Sequence, residues 1–277
     1  MLKRILLLLG ETPSSLSARQ YAFRLAQDHG AGIAGLAGID LSYIEMPMLG
    51  GIGTTAFKIR LEEQLKRQAE DISARLHDVY ERECQAHHVA FEWLAFEGDP
   101  LAALSLATET RDLIVTGHDT AFQGNVHEPL AEMLAKLLLT TPRPVIACGD
   151  EAPSGRDILV AYDGSLSAMR ALQIFALLGL GRDRSVHVTS IDADSELAAR
   201  RVAGAVGYLS GHGYTVEASP IATKVSPSDV LRVEIADRKI ATLVMGAYGN
   251  RGLHERLFGS ITNALAENPP CALFIYH

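Results

Sequence analysis

Two hydrophobic patterns alternate along the chain: short apolar runs, and longer segments in which apolar residues recur every three or four positions. In the second half, Ile158–Tyr162 is a continuous apolar run, typical of a parallel strand covered on both faces. Ser165 is a suitable N-cap for the next segment, whose helical spacing continues to Gly179. The pattern predicts helices over Glu196–Leu209 and from Pro227 to about Lys239, and further strands at Val186–Ile191, Tyr214–Ala218, Thr242–Met245 and Ala272–Tyr276.

The first half repeats this plan, because the segment from Lys3 resembles the one from Arg156, and RDLIVTG from Arg111 resembles IATLVMG from Ile240. A long helix is predicted over Lys58–His87, with strands at Ile5–Leu9, Gly32–Ile39, Val89–Phe96, Leu113–Thr116 and Val145–Cys148. The sequence therefore predicts an α/β protein of two tandem, doubly wound, Rossmann-like domains, each with a five-stranded parallel sheet. Their predicted boundary lies in the polar stretch Gly149–Gly155, which gives domains of residues 1–150 and 151–277.

Composition narrows the class of protein. The 277 residues are 48% hydrophobic, enough for two cores, and the net charge of −8 argues against nucleic acid or an anionic membrane as the main partner. The apolar run Ile5–Leu9 is too short for an export signal and no stretch is long enough for a membrane helix. The three cysteines are far apart, without disulfide-framework or zinc spacing, and are expected to be small buried apolar residues. A reducing, cytoplasmic location is expected.

Candidate chemistry concentrates in two loops of the second half. Ligands of open α/β sheets bind beyond the carboxyl ends of the strands, where the winding direction reverses, and the first and fourth strands are the expected neighbours there. Asp163 follows the first strand, while the loop after the fourth contains Gly246, Gly249 and Gly259 and leads into Ser260. Glycines allow backbone amides to approach phosphate oxygens, and a helix N-terminus adds free N–H groups.

This arrangement of glycines, with Asp163 after the first strand, resembles the ATP-binding branch of the universal stress protein family. The resemblance implies an adenine-nucleotide site with Mg²⁺, which Asp163 could contact through the nucleotide. Adenine and ribose contacts are implied for Ala161, Tyr162, Asp163 and Ile191, and phosphate contacts for Gly246, Gly249, Gly259, Ser260, Ile261 and Thr262, with Met245 and Tyr248 in the same site.

The resemblance also implies a protein that responds to stress or to energy state. Its two repeats would pair like two family subunits, as an intrachain pseudo-dimer joined through the fifth strands, and further association into a homodimer is expected. In the first half Gly10 stands in the place of Asp163, Thr120 replaces Gly249, and Asp119 adds negative charge, so only Gly117 is retained. No nucleotide is expected there.

Other interpretations stay open. Asp163 is also a common turn residue that stabilises the two residues after it. The sequence has no lysine after the glycine loop and no nucleophile elbow, so catalysis is expected to be at most weak ATP hydrolysis. A slow hydrolase or phosphotransferase could bind its substrate in the glycine-rich loop Met46–Thr55, and a module without nucleotide could hold an apolar ligand near Met46 and Met48. Metal binding by the adjacent His87 and His88 is not favoured.

Overall fold

The structure is a computed structural model that describes residues 1–40, 54–120, 122, 137–138, 141–153, 155–247 and 260–277, with only the backbone given at 54–58 and 260. Helices and strands alternate along the described chain. The first half contributes β1 (Arg4–Leu8), α1 (Pro13–His29), β2 (Gly32–Asp40), α2 (Thr54–His87), β3 (Trp93–Gly98), α3 (Pro100–Thr108), β4 (Leu113–Gly117) and β5 (Val145–Cys148). The second contributes β6 (Asp157–Ala161), α4 (Leu166–Leu178), β7 (Ser185–Asp192), α5 (Ser195–Gly211), β8 (Thr215–Ala222), α6 (Pro227–Arg238), β9 (Ile240–Gly246), α7 (Ser260–Ala266) and β10 (Ala272–Tyr276).

All the described strands join one ten-stranded sheet in the order β3-β2-β1-β4-β5-β10-β9-β6-β7-β8. Within each half the strands are parallel and the order reverses beside the first strand, so the predicted pair of doubly wound α/β repeats is confirmed. The two halves meet where β5 and β10 pair in antiparallel fashion, with Ile146 opposite Phe274. The predicted pairing of the fifth strands is therefore confirmed, whereas the boundary at residue 150 stays a prediction.

The hydrophobic core lies on both faces of this sheet and runs across the junction between the halves. One buried cluster joins Phe23 and Tyr80 to Phe175 and Phe274, and the other joins Leu6 and Leu36 to Leu243 and Leu273. Further contacts tie the halves together. The Tyr21 and Thr242 hydroxyls are hydrogen-bonded at 2.6 Å, and Arg184 pairs with Asp28 at 2.8 Å. The halves therefore pack as one body around a shared sheet.

Helix ends follow the expected cap chemistry. The Ser165 hydroxyl accepts the Ala168 N–H at the start of α4, and that helix ends at Gly179 in the left-handed region with φ 73°. In the first half Thr12 caps α1 and Gly30 ends it with φ 58°. The caps fix where α1 begins after β1 and where α4 begins after β6. Both helix starts lie at the carboxyl ends of the strands, the edge of the sheet where ligands bind.

Two predicted strands differ from the structure by four residues at one end. The strand predicted at Val89–Phe96 begins only at Trp93, because His88 has φ 55° and the Val89 N–H bonds back to the Cys84 carbonyl at the end of α2. The strand predicted at Tyr214–Ala218 instead spans Thr215–Ala222 and passes through Pro220. Proline is tolerated there because β8 is the last strand of the sheet and pairs on one side only.

Candidate functional site

The two strands that precede the loops singled out in the second half end at the same edge of the sheet. Strands β6 and β9 are parallel neighbours, with Leu159 opposite Leu243, and β7 lies on the other side of β6. The chain winds in opposite directions on the two sides of the β6–β9 pair. Their carboxyl ends therefore form the switch-point crevice at which α/β sheets bind ligands.

Asp163 has a structural task at this edge. Its Oδ1 accepts the Ser165 backbone N–H at 2.9 Å, so one carboxylate oxygen forms the turn that leads into α4. The side chain itself is exposed, and Gly164 between the two residues has φ 74°. The turn role and a ligand role are compatible, since a carboxylate can accept several hydrogen bonds.

Apolar residues line the floor between these strand ends. Ala161, Ile191 and Ile261 are partly buried and pack against one core cluster, to which the buried Met245 also belongs. Tyr162 points to the opposite cluster, and burial followed by the charge of Asp163 raises the pKa of its phenol. The predicted base and ribose contacts Ala161, Asp163 and Ile191 are thus gathered at one place, whereas the Tyr162 ring lies against the other core.

Gly246 lies where β9 approaches the first turn of α4. A Cβ at this position would be 2.6 Å from both the Ala168 nitrogen and the Ser167 hydroxyl oxygen, so a side chain does not fit. Next to it, the Ala247 N–H donates to the Tyr276 carbonyl at 2.8 Å, and the Ala247 carbonyl accepts the Thr262 hydroxyl at 3.0 Å. Gly246 and the buried Thr262 therefore fix the end of β9 against its neighbours, and the Thr262 hydroxyl has a protein partner.

Other predicted phosphate contacts fall partly outside the described residues. Gly249 and Gly259 lie there, as does Tyr248. Ser260 is the first residue of α7, but its side chain is not described. In the first half, most of the Met46–Thr55 loop, including Met46 and Met48, is likewise outside the described residues.

Arg201 is a residue at this site that the sequence analysis missed. It projects from α5 toward the β6–α4 turn, and its Nε would be 3.3 Å from a Cβ placed on Gly164. Its guanidinium pairs with Asp192 at 2.8 Å. The pKa of Asp192 is lowered, first by the Asp194 backbone N–H and then by Arg201. The sequence held one indication of this pair, because Asp192 directly follows the predicted strand Val186–Ile191 and so lies at the same edge of the sheet.

The corresponding edge of the first half has different chemistry. Thr12 and Ser14 at the start of α1 both donate hydroxyl hydrogen bonds to Asp119 Oδ1, the first at 2.8 Å. Beside them the Ser15 and Thr120 hydroxyls are 2.7 Å apart. Asp119 and Thr120, which stand in the place of the nucleotide motif, are therefore hydrogen-bonded to side chains at the start of α1.

Gly117 explains why one glycine is shared by both halves. A Cβ on Gly117 would lie 2.7 Å from the Ser14 carbonyl carbon and the Ser15 nitrogen, the same close approach of strand and helix as at Gly246. This position needs glycine for packing alone. Its presence is consequently weaker evidence for a phosphate site than the sequence suggested.

The cysteines and the adjacent histidines of the sequence analysis lie within the described residues. All three cysteines are buried and free, as predicted, and burial raises the pKa of each thiol. The His87 ring stacks on Phe23 at 4.5 Å and contacts Gln27, whereas His88 ends the helix. The described residues that approach metal-ligand geometry are His118, Asp119 and Asp150 in the first half. None of the described helices combines the length and the apolar character that crossing a bilayer requires.

Comparison with known proteins places these features in a family context. Residues 155–277 match the model of the universal stress protein family. The universal stress protein Slr1230 of Synechocystis sp. is 25% identical over 155 residues, which are 54% of this chain and 53% of that protein. The chain thus spans about half the length of this curated relative.

Solved structures share the fold of the whole chain. A universal stress protein from Archaeoglobus fulgidus has a TM-score of 0.71 at 19% identity, covering 99% of this chain and 97% of its own. A putative universal stress protein from Pseudomonas aeruginosa has a TM-score of 0.59 at 16% identity, with 99% and 93% covered. Residues 155–277 therefore carry a universal stress protein family domain, within a chain that shares its α/β fold with solved structures described by the same name.

Proposed function

We propose that the second half binds ATP, with Mg²⁺, at the carboxyl ends of β6, β7 and β9, and that the protein is a cytoplasmic binding protein responsive to stress or energy state. The observation that carries this proposal is that two candidate strand ends lie side by side at the switch point. The exposed Asp163 follows β6, and Gly246 ends the adjacent β9. Open parallel α/β sheets bind ligands at this position.

The chemistry of this edge suits an adenine nucleotide. Ala161 and Ile191 offer apolar surface for a base, and the Asp163 carboxylate can accept from a ribose hydroxyl or bind a nucleotide-bound cation. The glycine sequence through Gly259 leads into the N-terminus of α7, where backbone N–H groups favour phosphate. A response to energy state would follow from differential binding of ATP and its hydrolysis products.

Titration calorimetry with Mg-ATP tests the proposal, preceded by mass spectrometry of small molecules released from fresh protein. The wild type should bind one nucleotide per chain, and Gly259→Asp should abolish binding by placing a carboxylate among the phosphates. Asp163→Asn keeps an oxygen that can accept the Ser165 N–H, so it removes charge without removing the turn. It should weaken binding of Mg-ATP.

Asp99→Asn is a matched control. Asp99 Oδ1 accepts the Leu101 N–H at 2.9 Å, the same local cap as that of Asp163, but at the start of α3 in the first half. This variant should bind nucleotide as the wild type does. The proposal is wrong if the wild type retains no nucleotide and gives no binding heat, or if Gly259→Asp binds with unchanged affinity.

A further inference from the structure

Three side chains that can bind a metal ion meet in the first half, away from the proposed nucleotide site. His118 and Asp119 directly follow β4, and Asp150 follows β5 by two residues. Because β4 and β5 are parallel neighbours, their carboxyl ends lie side by side. One ligand atom from each residue lies within 4.8 Å of the others, and His118 Nε2 is 3.5 Å from Asp150 Oδ1.

The protein already fixes two of these groups. The Thr12 and Ser14 hydroxyls donate to Asp119 Oδ1, the first at 2.8 Å, and they hold this carboxylate at the start of α1. The backbone N–H of His118 donates to the Cys148 carbonyl at 2.8 Å, which anchors the residue between the two strands. Hydroxyl partners of this kind orient ligating carboxylates in metal sites.

His118 provides an independent observation. Its side chain is only 11% exposed, with Nε2 as the ring nitrogen beside Asp150. The other ring nitrogen, Nδ1, is buried and has no hydrogen-bond partner among the described residues. Buried polar atoms in folded proteins are almost always paired, and an orphaned one calls for a water, an ion or a functional role. The protein therefore leaves the hydrogen-bonding capacity of this ring partly unmet beside two carboxylates.

We infer that His118, Asp119 and Asp150 bind one divalent transition-metal ion. Two carboxylates supply charge that compensates a divalent cation, and an imidazole nitrogen favours Zn²⁺ over Mg²⁺, Ca²⁺ and Mn²⁺, which are better suited by oxygen ligands. The Asp150 side chain is 63% exposed, so water can complete the coordination. The second half has Ala247 in the place of His118, so the site is confined to the first half.

Calorimetry with ZnCl₂ tests this inference on the full chain, with any affinity tag removed and after treatment with a chelator. The wild type should bind one ion per chain, with metal content verified by mass spectrometry. Asp150→Asn should bind at least about tenfold more weakly. Since Asp150 is mostly exposed, this substitution leaves the fold intact, and thermal unfolding of the metal-free variant verifies that it does.

Two further variants separate this site from other histidines. His77→Ala is the matched control and should bind as the wild type does. His77 Nδ1 lies 3.3 Å from Asp78 Oδ1, in an exposed histidine–carboxylate pair that has no third ligand in the described part of the chain. Ser14→Ala removes one hydroxyl from Asp119 and should weaken binding by about tenfold. No binding to the wild type, or equal affinity in Asp150→Asn and wild type, would overturn the inference. Because no nucleotide is present, the outcome is independent of the proposed function.

Discussion

Replacing Gly246 by alanine tests how closely β9 must approach α4 at the candidate site. The new Cβ would lie 2.6 Å from the Ala168 nitrogen and 2.7 Å from the Ser167 carbonyl carbon, both backbone atoms of the first turn of α4. Contacts this short require the strand or the helix to move. The Ser167 hydroxyl at 2.6 Å could rotate away, but the backbone cannot.

The size of the effect follows from overpacking. Forcing one extra carbon into a filled site costs about 1–3 kcal/mol. Gly204→Ala is the matched control, because Gly204 is an exposed residue within α5 and nothing lies within 4 Å of its added Cβ. That variant should gain about 0.5–1 kcal/mol, since alanine favours the helix. The two substitutions therefore change stability in opposite directions.

Urea unfolding followed by far-UV circular dichroism measures both variants against the wild type. The expected order of unfolding free energy is Gly204→Ala, wild type, Gly246→Ala. A Gly246→Ala protein as stable as the wild type would refute the reasoning, because it would mean that the strand and the helix terminus can separate without cost.

Further predictions concern the junction, an ion pair and the thiols. Tyr21→Phe removes the buried hydrogen bond to Thr242 between the halves and should cost about 1–2 kcal/mol in urea unfolding, a loss that should shrink in a Thr242→Val background. Arg111 donates a hydrogen bond to Glu92 and lowers the pKa of that carboxyl. The pair therefore stabilises the fold at pH values above the pKa of Glu92 in the unfolded chain, and this stabilisation is lost as the pH falls through the lower pKa of Glu92 in the folded protein. Glu92→Gln should therefore be less stable than wild type at pH 7, by at most about 1 kcal/mol given the exposure of Glu92. The difference should shrink as the pH is lowered through the folded pKa of Glu92, and a constant difference contradicts the assignment. Ellman's reagent at pH 7.5 should label no thiol in native protein and three in urea. Burial shields the thiols of Cys84, Cys148 and Cys271 from the reagent and raises their pKa.

Much of the fold could be predicted because its signals are local. Ser165 and Gly179 mark the ends of α4 through cap chemistry, and the apolar run from Ile158 indicates a strand buried on both faces. Internal similarity between the halves then supplied the topology, and the antiparallel pairing of β5 with β10 followed from the family resemblance. The bounds of β3 were wrong because the turn at His88 depends on a positive φ that is uncommon for histidine and that the sequence does not reveal.

The candidate site could be predicted less completely, since its contacts join distant parts of the chain. The neighbourhood of Asp163 and Gly246 followed from the strand order, but the approach of Arg201 to Gly164 depends on how α5 packs, which hydrophobic periodicity does not specify. In the sequence, Asp150 lies in the polar stretch Gly149–Gly155 that predicts the boundary between the halves. Its proximity to His118 becomes visible only when β4 and β5 are known to be neighbours.

The two halves show that packing and ligand chemistry constrain different residues at the same strand end. Gly117 and Gly246 are both required where a strand passes a helix terminus, so this residue stays glycine whatever the site binds. The positions that follow it have no such constraint, and in the first half they carry a histidine and a carboxylate bonded to hydroxyls of α1. Since the shared sheet fixes both edges, one repeat can keep a glycine-rich loop while the other acquires different ligands without disturbing the fold.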